Sequence, residues 1–108
     1  MMMARPDRDP VLGRFRAALE RLYGDQIERV VLFGSRARGE VRPGSDYDVA
    51  LFLKSSPDQR AERRRLADLR VEFLDETGEF FETMPFPDTA YSDRTPLMHE
   101  IRRDGQEI

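Results

Sequence analysis

Two short segments decide how this chain folds: Val31-Leu32-Phe33-Gly34-Ser35 and, with ten residues between Ser35 and its first aspartate, Asp46-Tyr47-Asp48-Val49-Ala50-Leu51-Phe52-Leu53. Ile27 to Phe33 concentrates β-branched and large apolar residues and ends in a continuous apolar run, which predicts a strand buried on both faces and stopped at Gly34. A second apolar run between Asp46 and Lys54 predicts a strand beside it. Gly39, Pro43 and Gly44 break the segment between them into a loop, with room for one helical turn near Arg36 to Gly39.

Outward from this centre, the pattern alternates. Val11, Leu12, Phe15, Ala18, Leu19 and Leu22 recur at spacings of three and four behind Asp9 and Pro10, predicting a helix capped by Asp9 and closed by Gly24. Ser56-Pro57-Asp58-Gln59 reads as a capping box opening a long helix, with Leu66, Leu69, Phe73 and Leu74 as its apolar stripe and Gly78 as its stop. A third strand is expected from Glu79 to about Pro85, a loop over 87–95, and a short helix from Pro96 to Asp104 ended by Gly105. The order helix, strand, loop, strand, helix, strand, helix describes an α/β (α+β) domain: a small mixed sheet of three or more strands with helices packed on one face.

Composition narrows the chemistry. With 108 residues there is room for one core, so 1–108 is expected to be one domain, 1–9 forming a flexible N-terminus. Eighteen basic and twenty-one acidic side chains give a net charge of −3, which disfavours bulk nucleic-acid binding. Without cysteine and with His99 alone there is neither a disulfide, nor a thiolate metal site, nor a two-histidine mechanism. No signal-peptide or membrane-spanning stretch is expected, leaving the cytoplasm as the default compartment. Catalysis would have to rest on carboxylates, hydroxyls, backbone amides and arginines.

Those groups are what the central stretch supplies. Asp46 and Asp48, at i and i+2 of a strand, project from one face and repel when both are ionised, which a hard cation such as Mg²⁺ relieves while also taking substrate phosphates as ligands. Gly34 lets backbone approach a ligand, and the Ser35 hydroxyl and the N–H groups after it can bond phosphate oxygens, helped by the dipole of any helical turn there. Arg36, Arg38 and Arg42 add positive charge. Together these parts form a metal–triphosphate clamp, with Ser45 directly ahead of the first aspartate.

Val31 to Leu53 resembles the signature of the nucleotidyltransferase superfamily with the DNA polymerase β fold. The opening Gly34-Ser35-Arg36-Ala37-Arg38-Gly39 and the close Ser45-Asp46-Tyr47-Asp48 are similar to the minimal nucleotidyltransferase (MNT) group, as are the overall length and the closing Glu100-Ile101-Arg102-Arg103-Asp104-Gly105. The resemblance implies transfer of AMP from ATP to an acceptor hydroxyl. Asp46 and Asp48 would bind two Mg²⁺ ions, and Gly34, Ser35, Arg36, Arg38 and Ser45 would hold the nucleotide. It further implies a third carboxylate on the next strand that aids the second ion and activates the acceptor. Glu82 is the candidate and Glu79 the runner-up, glutamate standing where aspartate is usual; Tyr47 stands where an aliphatic residue is usual and is expected to pack into the core.

Many MNT proteins are antitoxins that silence a HEPN-domain ribonuclease toxin by adenylylating one of its tyrosines, so the expected partner is a cognate HEPN toxin in a hetero-oligomer. A non-catalytic antitoxin that neutralises by binding is the alternative, and a small-molecule nucleotidyltransferase ranks last. The Arg60 to Arg65 run is interleaved with acids and reads as a solvated face, and His99 as a helix-surface residue.

Overall fold

A computed structural model describes residues 9–40, 44–55 and 58–108. Helix α1 (Pro10–Tyr23) begins where the sequence says it should: Asp9 is extended, and its Oδ1 accepts from the N–H groups of Val11 (3.0 Å) and Leu12 (3.1 Å). Strand β1 (Ile27–Phe33) follows, then a single helical turn α2 (Gly34–Ala37), strand β2 (Tyr47–Leu53), helix α3 (Gln59–Thr77), strand β3 (Phe81–Pro87), helix α4 (Pro96–Asp104) and strand β4 (Gln106–Glu107). Residues 1–8 of the expected flexible N-terminus lie outside the described residues, as do Val41, Arg42 and Pro43 of the loop and Ser56 and Pro57 of the expected capping box. The α3 cap is Asp58, whose carboxylate accepts from Arg60 N and Ala61 N. Gly78 ends the helix at φ +75°, as expected of its position.

The four strands form one mixed sheet in the order β3-β2-β1-β4. β1 pairs antiparallel with β2 and with β4, whereas β2 and β3 are parallel and joined through α3. The third strand starts and ends two residues later than the sequence suggested. It is also an edge. Tyr47 N–H donates to Phe80 C=O at 2.8 Å, so the even-numbered residues of β3 turn their backbone groups to β2 and the odd-numbered ones outward, where Pro85 and Pro87 have no N–H to leave unpaired. β4 is too short for any local apolar pattern and was not anticipated.

The expectation of helices on one face is corrected by the packing. Alternation along β1 and β2 sends Val30, Leu32, Tyr47, Val49, Leu51 and Leu53 against α1 and α3, where Leu12, Phe15, Leu19, Leu66, Leu69 and Phe73 close the main core. The opposite residues Val31, Phe33, Ala50 and Phe52 meet Met98 and Ile101 of α4 and Ala90 of the preceding turn. A central strand whose two faces are both apolar needs two covers, and α4, brief as it is, provides the second. Leu74, expected on the apolar stripe of α3, is 43% exposed.

The main core is centred on aromatic rings. Phe81 is fully buried and stacks between Phe15 (centroids 4.0 Å) and Tyr47 (4.3 Å), with Phe73 edge-on at 5.6 Å. Tyr47 therefore packs as expected, and its hydroxyl donates to Asp9 Oδ2 at 2.5 Å, tying the start of α1 to the start of β2. Among the described residues no helix is long and apolar enough to cross a membrane.

Candidate active site

Phe33 pairs with Asp48 across β1 and β2, and Asp48 pairs with Glu82 across β2 and β3. Since even-numbered residues of β2 and β3 share the α4 face, Asp46, Asp48 and Glu82 stand at one end of that face, beyond the apolar Ala50 and Phe52. Gly34 closes the site from β1. Its φ of +74° is a conformation L side chains rarely adopt, and a Cβ built there would collide with Oδ2 of Asp48 and lie 3.2 Å from its Cγ. The glycine is needed twice over: for the turn into α2 and for the space Asp48 occupies.

Electrostatics mark Asp48 as the unbalanced group. Its pKa is raised above the ordinary carboxylate value by burial first, and then by the negative charges of Asp46, Glu82 and Glu100, with Arg38 opposing. Asp48 thus lies half-buried in the negative field of three other carboxylates, with Arg38 as the opposing charge. This is the environment that the sequence reading of Asp46 and Asp48 anticipated, with one addition. Glu100, on α4, was missed because its approach to Asp48 depends on how α4 packs against the second face. A signal existed in the i, i+4 pair Glu100 and Asp104, which lies on one side of α4.

The arginines divide by face. Arg38 ends α2 and reaches Glu40 (2.9 Å), Asp104 (3.8 Å) and Glu100 (3.9 Å), so it sits beside the carboxylates. Arg36 points to the other side. Its guanidinium lies 3.9 Å from the centroid of the Tyr47 ring, donates to Ser45 C=O from Nε (3.2 Å) and Nη2 (3.0 Å), and pairs with Glu79 at 3.1 Å. Arg36 and the runner-up Glu79 are therefore joined to each other on the core side, where they hold the loop that delivers Ser45 and Asp46. The α2 turn is itself anchored: Gln106 Nε2 of β4 donates to Ala37 C=O at 2.6 Å. Arg42 lies outside the described residues. His99 is exposed on α4 with Arg102 at 3.5 Å, as the sequence suggested.

Glu82 is in register with Asp48, but its carboxylate is bound elsewhere: Oε2 is 3.3 Å from Arg70 Nη1. Among the described residues no three acidic or histidine side chains converge as a metal cage. The Asp46 and Asp48 pair nonetheless fits a hard divalent cation, since it offers carboxylate oxygen donors side by side and Asp48 lies in the negative field of its acidic neighbours. Glu82 would complete the set only after leaving Arg70.

Residues 12–83, more than half of the chain, match the nucleotidyltransferase domain family. The chain belongs to that family. Two curated relatives from Methanocaldococcus jannaschii agree: the protein named "Putative protein adenylyltransferase MJ1305" is 34% identical over 65 residues, 59% of this chain and 44% of its own length, and the similarly named MJ0141 is 32% identical over 54 residues, 50% of this chain and 54% of its own. The chain thus spans about half the length of the curated relatives it matches. Solved structures share the fold at low identity. A toxin–antitoxin complex with AMP-PNP superposes with a TM-score of 0.63 at 19% identity, covering 87% of this nucleotidyltransferase-family chain and 69% of that one. A complex of a tri-AMPylated Shewanella oneidensis HEPN toxin with its MNT antitoxin superposes at 0.55 and 17% identity, covering 87% and 66%.

Proposed function

We propose that this chain is an antitoxin that transfers AMP from ATP, with Mg²⁺, to a tyrosine hydroxyl of a cognate HEPN ribonuclease toxin. The observation that carries this reading is the juxtaposition, on one end of one sheet face, of Asp46 and Asp48 with a glycine turn whose only tolerated occupant leaves room for Asp48. The curated relatives named as protein adenylyltransferases, and the neighbouring folds found in complexes with AMP-PNP or an AMPylated toxin, support the choice of donor and acceptor.

In this reading Asp46 and Asp48 hold Mg²⁺, two ions when Glu82 joins them, and a bound ion supplies charge neutralisation for the triphosphate and the departing pyrophosphate. Gly34, Ser35 and Ser45 shape the wall against which the phosphates lie, and Arg38 supplies positive charge beside it. Arg36 acts through the loop: by gripping Ser45 C=O it fixes where Asp46 enters the site. The tyrosine oxygen attacks the α-phosphorus, a new O–P bond forms, the bridging bond to the β-phosphate breaks, and pyrophosphate leaves. Glu82 accepts the hydroxyl proton. Positioning and charge balance carry most of the rate enhancement.

The experiment combines the chain with ATP, Mg²⁺ and the protein encoded beside it, and reads the intact mass. A gain of one or more AMP units on the partner, absent with Asp48→Ala, is expected; no gain, or a gain that survives Asp48→Ala, overturns the proposal. The Arg70–Glu82 ion pair favours one second reading, a non-catalytic antitoxin. Full neutralisation of the toxin by Asp46→Ala and Asp48→Ala would establish that reading instead.

A further inference from the structure

Arg70 arises from α3, on the far side of the sheet from Asp48, yet its guanidinium passes around the open edge of β3 to reach Glu82. It is steadied on the way by the Phe80 ring, 5.1 Å from its Cζ. The ion pair leaves Glu82 outside any three-carboxylate group among the described residues, although its backbone is in register with Asp48. Both side chains are partly exposed, at 36% and 47%, so the pair is weak and a divalent cation can compete for the carboxylate.

Arg70 also has somewhere else to go. A cavity of about 480 Å³ runs along the β3 edge, bounded by Arg63, Arg70, Glu82, Thr83 and Leu97. Thr83 lies on the α3 side by strand alternation, and its Oγ1 is buried there with no hydrogen-bond partner among the described residues. An unpaired buried hydroxyl costs free energy that a guanidinium N–H donor would recover.

We propose that Arg70 is a latch: in the cation-free protein it holds Glu82 at the sheet edge, and on cation binding it moves to Thr83 Oγ1, releasing Glu82 to join Asp46 and Asp48. The inference rests on the reading of Glu82 as the third carboxylate. Arg70 is thus a positioning residue, acting on the site through Glu82.

Mn²⁺ titrated into the full chain with AMP-PNP, with free Mn²⁺ followed by electron paramagnetic resonance, tests both statements separately. Arg70→Gln is expected to tighten the weaker Mn²⁺ site by about two- to fivefold, the range an exposed ion pair contributes. Arg70→Lys should stay near wild type, Thr83→Val should weaken the site, and Glu82→Gln should abolish it. If Glu82→Gln abolishes the weaker site while Arg70→Gln leaves it unchanged or weakened, the latch is overturned and the third carboxylate stands. If Glu82→Gln changes nothing, the reading of Glu82 fails and the latch with it. Unchanged affinity in Thr83→Val overturns Thr83 as the second seat.

Discussion

The two faces of β2 show how one strand serves two purposes. Toward α1 and α3 it presents Tyr47, Val49, Leu51 and Leu53, all buried and locked into an aromatic core around Phe81. Toward α4 it presents Asp48, Ala50 and Phe52, with Asp46 just ahead of its first residue: a small apolar floor at one end and carboxylates at the other. The first face is where packing stabilises the fold. The second is where charge is concentrated at a cost in stability, beside a glycine and near an edge, so that something else can enter. Changes on the first face should therefore act on stability, and changes on the second on chemistry.

The largest effect belongs to the packed face. Phe81→Ala removes a fully buried ring from between Phe15 and Tyr47 and should cost about 3–5 kcal/mol in chemical denaturation. Next comes the charged face: Asp48→Ala should reduce AMP transfer by on the order of a thousandfold in a single-turnover assay without lowering stability. If Asp48→Ala unfolds the protein, the division between the faces is wrong. Gly34→Ala is the substitution that should reach both, costing about 1–3 kcal/mol for a strained φ and displacing Asp48, so that denaturation and Mn²⁺ binding shift together. A small effect confined to the packed face is expected of Tyr47→Phe, which loses the Asp9 hydrogen bond and about 1 kcal/mol while transfer is unchanged.

Most of the fold was legible locally. β1, β2 and α4 follow from apolar runs and breakers, and Asp9 and Gly78 act as cap and stop because their chemistry is decided within a few residues. What was not legible depends on distant partners. The second covered face follows from where α4 docks, and β4 exists only because β1 has a free edge. The site divides in the same way. Gly34, Asp46 and Asp48 were readable from spacing, and the space Asp48 needs explains why position 34 carries no side chain. Arg36 read as one of the arginines of the clamp, but Tyr47 and Glu79 draw it to the core side. Glu100 and Arg70 act on Asp48 and Glu82 from other elements, and which carboxylate each one meets is decided by how α4 and α3 pack rather than by their sequence neighbours.

Asp48 offers the most direct test. Because its folded pKa is raised, the native state binds the proton more tightly than the unfolded chain does. Stability contributed by this group is therefore present below the usual carboxylate range and is lost as pH rises through the raised value. At neutral pH the ionised carboxylate, facing Asp46, Glu82 and Glu100 with Arg38 opposing, is a strain on the fold that a cation or an amide would remove. The measurement is thermal unfolding at neutral pH of wild type and Asp48→Asn, each with chelator and with Mg²⁺ and AMP-PNP. The structure predicts that Asp48→Asn melts higher than wild type in chelator and gains little from Mg²⁺ and nucleotide, while wild type gains clearly. A variant that melts at or below wild type in chelator, or that gains as much from Mg²⁺ and nucleotide, would contradict a cation-binding carboxylate site on this face.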